Sequence, residues 1–195
     1  MLALGDSYTI GQGVADNARW PMQLAARLRE QGVAIDTPEI IAKTGWTTDD
    51  LARAIDQRRP RGPYDLVTLL IGVNDQYGGR AVEDYRPRFR ALLQQAISLA
   101  GDRAAHVIVI SIPDWSVTPF AARFDPAEIA TEITRYNAVN REETERIGVP
   151  YIDITPHSRT AAGDNTLLAD DGLHPSAKMY DVWVQLILPV AQQAL

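Results

Sequence analysis

A chain of 195 residues, 46% hydrophobic and 23% charged, is long enough to bury a substantial core and has none of the composition of a disordered segment. A net charge of -6 with no lysine or arginine cluster argues against nucleic acid as a partner, and the absence of cysteine excludes disulfides, thiolate metal sites and a cysteine nucleophile. No apolar run reaches the length of a membrane span, and the N-terminus lacks a signal peptide's basic and apolar regions. A cytoplasmic protein is therefore expected, unless a leader precedes Met1.

The first strand is expected over residues 1–4 and leads into Gly5-Asp6-Ser7-Tyr8; an amphipathic helix follows over 21–30. A weaker strand over 38–42 precedes Gly45-Trp46, and the next helix, over 48–57, starts at Thr47-Thr48-Asp49-Asp50, a run suited to capping. The third strand, 66–71, reads LVTLLI, a continuous apolar run that fits burial on both faces, and it ends in Gly72-Val73-Asn74-Asp75. Helix 82–99 carries a core stripe of Tyr85, Phe89, Leu92, Leu93 and Ala96.

After the fourth strand, over 107–112, the segment 113–125 (PDWSVTPFAARFD) breaks the pattern with two prolines and three aromatics. It is expected as an irregular loop bordering a site. A helix over 126–147 and a strand over 151–154 precede Asp171-Gly172-Leu173-His174-Pro175, which opens the last helix, 176–194. The alternation of strands and helices, with no linker, predicts a single α/β domain over 1–195 built on a five-stranded, largely parallel sheet.

In such a sheet, functional side chains gather in the loops after the strands. Those loops here deliver a hydroxyl, a glycine amide, a carboxamide and an Asp/His pair, the parts of an acyl-transfer site. A serine hydroxyl needs a base, and the base must be held in one tautomer. Asp171 lies three residues before His174, close enough to reach Nδ1 and leave Nε2 for Ser7. The Ser7 N–H, the Gly45 N–H and the Asn74 carboxamide could together stabilise an oxyanion.

Taken singly, Gly-Asp-Ser, Asn74-Asp75 and Asp171-Gly172 are common turn sequences, and Asp6 and Asp75 are expected to bond turn backbone. Their joint occurrence, with Gly45, at three strand ends and in the loop before the last helix is what favours chemistry. The blocks GDSY at Gly5 to Tyr8, TGWTT at Thr44 to Thr48, GVND at Gly72 to Asp75 and DGLHPS at Asp171 to Ser176 resemble, in order, those of the SGNH hydrolases, also called GDSL esterases/lipases.

That resemblance implies a flavodoxin-like three-layer α/β/α fold. It implies Ser7 as nucleophile, His174 and Asp171 as base and orienter, Ser7, Gly45 and Asn74 as the oxyanion hole, and hydrolysis of a small acyl or lysophospholipid-like ester. Tyr8 stands where the motif has leucine. The same residues would serve a thioesterase or a carbohydrate O-acetylesterase, and a non-catalytic glycan- or lipid-binding module is the alternative from another class.

Trp46, Tyr77 and Trp115 follow strand ends and are candidates for a substrate pocket, with rim packing as the competing role. Three scattered histidines without a ligand spacing predict no metal, and the chemistry needs no cofactor. The expected partner is a small ester; oligomeric state is left open by the sequence.

Overall fold

A computed structural model describes residues 1–195. Five strands form one all-parallel sheet: β1 (Leu2–Gly5), β2 (Glu39–Ala42), β3 (Val67–Leu70), β4 (Val107–Ile110) and β5 (Tyr151–Ile152). They lie in the spatial order β2-β1-β3-β4-β5, the flavodoxin-like order, in which ligands bind at the carboxyl edge where the winding reverses beside β1. Gly5 pairs with Ala42 on one side and Leu70 on the other, so β1, β2 and β3 end level with one another. Their three following loops consequently start from one edge.

Eight α-helices complete the fold: α1 (Ser7–Ile10), α2 (Trp20–Glu30), α3 (Thr48–Arg58), α4 (Val73–Tyr77), α5 (Val82–Leu99), α6 (Pro126–Glu145), α7 (Thr155–Ser158) and α8 (Ala177–Ala194). α2 packs on α8, while α5 packs against α3, α6 and the sheet, giving the three layers expected from the sequence. The central strands β1, β3 and β4 are buried along their whole length. The expected core stripe of α5 is buried too, as are the stripes Ile129, Ile133, Tyr136 and Val139 of α6 and Tyr180, Trp183, Val184 and Ile187 of α8, with Leu188 at the margin. No helix is long and apolar enough to cross a membrane.

The five long helices fall where hydrophobic periodicity puts them, and α3 starts with the expected capping box between Thr47 and Asp50. Differences are local. α6 stops at Glu145, two residues early, and β5 keeps only two of the four residues expected of it. The one-turn helices α1, α4 and α7 have no counterpart in the sequence reading, because a single turn shows no period. The segment 113–125 contains two 3₁₀ turns, Trp115–Val117 and Pro119–Arg123.

Candidate active site

Ser7 opens α1 directly after β1. Asp6 caps that turn, its Oδ1 accepting the Tyr8 N–H at 3.0 Å, as a turn-ordering aspartate should. The Asp6 carboxylate is fully buried and its Oδ2 has no partner. Burial pushes its pKa up to about 7 against the opposing Tyr8 N–H bond, and the nearby Asp75 adds to the rise. Ser7 itself is only 5% exposed.

His174 is held from the opposite end of the chain. Its Nδ1 lies 2.6 Å from Asp171 Oδ2, while Asp171 Oδ1 accepts the backbone N–H groups of Leu173 at 3.0 Å and His174 at 2.9 Å. Burial raises the Asp171 carboxyl, but the bonds from the His174 N–H, the imidazole and the Leu173 N–H outweigh it and hold the pKa below the ordinary value. The carboxylate thus stays ionised beside the ring. Nδ1 carries the proton in that bond, which turns the acceptor lone pair of a neutral imidazole to Nε2. The Tyr8 ring backs the imidazole, with centroids 5.5 Å apart.

Two further loops bring hydrogen-bond donors. Gly45 has φ +83°, a left-handed conformation that glycine adopts without strain, and no atom would crowd a Cβ there. Asn74, in α4, donates one Nδ2 hydrogen to the Trp46 carbonyl at 2.9 Å and retains a second. The backbone amides of Ser7 and Gly45 donate to no other protein group. Asp75 does not bond its own turn, the role expected from the sequence: it reaches across to another loop, accepting the Thr48 N–H at 2.9 Å and the Thr48 hydroxyl at 2.8 Å, and it pairs with Arg80 Nε at 2.9 Å.

Ser7, Gly45, Asn74 and His174 all line one pocket of about 180 Å³, together with Tyr8, Thr44, Val73, Tyr77, Trp115, Phe120 and Leu173. Ser7 Oγ and His174 Nε2 both line it but form no hydrogen bond across it. Of the three aromatic candidates, Tyr77 and Trp115 line the pocket. Trp46 does not: it packs against the core, and its carbonyl is what meets Asn74. A larger depression beside Arg141 and Arg159 contains none of these residues.

Sequence reasoning overlooked Phe120, whose only signal was its place, four residues before Phe124, in a proline-bounded segment after a strand end. Its backbone N–H donates to the Gly172 carbonyl at 3.1 Å, tying the 113–125 segment to the turn that carries His174.

Residues 3–182 match the family model described as GDSL-like Lipase/Acylhydrolase family. No curated protein matches the sequence. Among solved structures, TesA superposes with a TM-score of 0.76 at 18% identity, covering 100% of this chain and 98% of that one. A member of the lipolytic G-D-S-L family from Veillonella parvula gives 0.73 at 18% identity, covering 98% and 97%. The psychrotrophic esterase EstA from Pseudoalteromonas sp., in a structure inhibited by monoethylphosphonate, gives 0.70 at 17% identity, covering 98% and 96%. At these identities the likeness is one of fold.

Proposed function

The chain belongs to the GDSL-like lipase/acylhydrolase family, and from that premise we propose that it hydrolyses small carboxylic esters through an acyl-enzyme formed on Ser7. The Ser7 hydroxyl attacks the ester carbonyl as His174 Nε2 takes its proton, and Asp171 stabilises the imidazolium that results. The tetrahedral oxyanion is received by the Ser7 and Gly45 N–H groups and by the free Asn74 Nδ2 hydrogen. His174 then returns the proton to the departing alcohol. Water, activated by the same base, releases the acid and restores Ser7.

The observation that carries this reading is the convergence, on one apolar-walled pocket, of Ser7, three unspent donors and an imidazole already bonded to an ionised Asp171. The scheme calls on no cofactor. Its test is Ser7→Ala assayed on p-nitrophenyl butyrate, beside labelling of the wild type by an alkyl phosphonate. Turnover in the variant equal to wild type, or a phosphonate attached elsewhere than Ser7, refutes it.

A further inference from the structure

Four aromatic side chains meet at the mouth of the pocket. Tyr77, Trp115, Phe120 and Phe124 touch in all six pairings, with ring centroids 5.4 to 6.4 Å apart and Trp115 edge-on to the other three. Tyr77, Trp115 and Phe120 face the cavity. The chain exposes only three large hydrophobic residues, and two of them, Tyr77 at 54% and Phe124 at 39%, stand in this cluster. Apolar surface left in water beside a reactive pocket marks a place where a ligand completes the packing.

The cluster is also fixed in place before any ligand arrives. Trp115 Nε1 donates to Gln76 Oε1 at 3.0 Å, Gln76 Nε2 donates to Glu132 at 2.6 Å, and the Phe120 N–H is bonded to Gly172. A rigid wall selects by size and shape. An apolar cavity of about 150 Å³ is enough to hold benzene. The pocket here, about 180 Å³, has room for one such ring and opens to solvent beside the exposed Tyr77.

We propose that Tyr77, Trp115 and Phe120, braced by Phe124, form a subsite for one aromatic ring carried by the ester, which makes aryl-bearing esters the favoured substrates. This rests on the reading of Ser7 as an ester-hydrolysing nucleophile and names the substrate class of that site. A ring entering the cluster extends its edge-to-face and offset contacts, each contributing about two- to tenfold beyond simple burial.

The experiment compares kcat/KM for ring-bearing and open-chain esters in two arms. One arm sets methyl phenylacetate against methyl hexanoate, with the ring in the acyl part. The other sets benzyl acetate against hexyl acetate, with the ring in the alcohol. The expected result is a preference of roughly tenfold for the ring in one arm at least, falling severalfold in both Tyr77→Ala and Phe120→Leu. A ratio near one in both arms, or a preference that both variants retain, overturns the subsite while alkyl-ester turnover leaves the esterase reading standing.

If the wild type cleaves no ester, that reading falls alone, and binding decides the subsite. Acetophenone and 2-hexanone, which cannot be hydrolysed, are titrated against intrinsic tryptophan fluorescence. Tighter binding of acetophenone, weakened in Phe120→Leu, supports the subsite; equal binding of the two ketones overturns it.

Discussion

Asp75 grips Thr48 twice, through the backbone N–H at 2.9 Å and the hydroxyl at 2.8 Å, and so fastens the loop after β3 to the loop after β2. In the other direction Asn74 Nδ2 reaches the Trp46 carbonyl at 2.9 Å. These crossed ties fix how far the Gly45 amide stands from the Asn74 carboxamide. The Asp75 carboxyl is 1% exposed; burial raises its pKa, opposed by the Thr48 bonds and Arg80.

Asp75→Asn keeps the shape but removes the charge that Arg80 and two Thr48 donors share. The expected result is a fall in kcat of roughly tenfold to 100-fold, less than the 100- to 1000-fold typical of deleting an oxyanion donor, because the donors are displaced and not lost. Steady-state kinetics on a short-chain ester decide it. A kcat equal to wild type would show that the ties do not set the donor spacing.

At His174 the expected effect is larger. Asp171→Asn can still bond Nδ1, but under the proposed mechanism it no longer stabilises the imidazolium and it admits the wrong tautomer. Turnover should drop by about 10⁴-fold, as in other serine triads altered at this position, with thermal stability nearly unchanged. A loss below tenfold would place the orienting role elsewhere.

Asp6 predicts an unusual pH dependence of stability. Its folded pKa is about 7, above the unfolded value near 3.8, so the folded state binds more protons between those limits. Its contribution is therefore fully present below the lower value and declines as pH rises through the upper one. Asp6→Asn keeps an oxygen for the Tyr8 N–H and never ionises. The melting temperature of the variant relative to wild type should climb from pH 4 to about pH 7 and then level off; a constant difference from pH 4 to pH 8 would contradict the burial argument.

Glu143 on α6 works in the opposite sense. Arg90, Arg86 and Arg146 surround its carboxylate at 2.8, 3.0 and 3.2 Å, and the Arg90 bond most of all, against the cost of burial, lowers its pKa to about 2. The stability it supplies is present above the unfolded value near 4.5 and is lost as pH falls toward 2. Glu143→Gln should cost about 2 kcal/mol at pH 7, below the range for a fully buried pair because the arginines are half exposed. Urea melts at pH 7 and pH 3 test this: the gap between variant and wild type should narrow in acid.

Much of this was legible in the sequence. The continuous apolar runs at 66–71 and 107–112 and the 3.6-residue stripes of α5, α6 and α8 contain their own period, so element type and the parallel sheet follow. The blocks after β1, β2 and β3 were legible as a set because parallel topology sends those loops to one edge, and the Asp171 to Ser176 block joined them through the resemblance of all four to one family. Three contacts were not. Asp75 bonds a residue 27 positions away, Phe120 joins a wall whose other members come partly from α4, and Trp46 turns to the core although its neighbours Gly45 and Thr44 face the pocket. Such choices belong to tertiary packing, which no local pattern records.

The packing of α2 on α8 places the two ends of the chain in one layer, with Arg27 bonded to Asp181 at 3.0 Å and Gln23 Nε2 donating to the Ala177 carbonyl at 3.1 Å. α8 starts just after His174, and α2 begins a short way beyond Ser7. The clasp works as an integrity check. A small shift of the last helix on α2 that keeps its core stripe buried would retain the sheet and helical signal yet move the imidazole away from the hydroxyl. Turnover should therefore vanish before circular dichroism changes, making ester cleavage a more sensitive gauge of the closed native state than any measure of secondary structure.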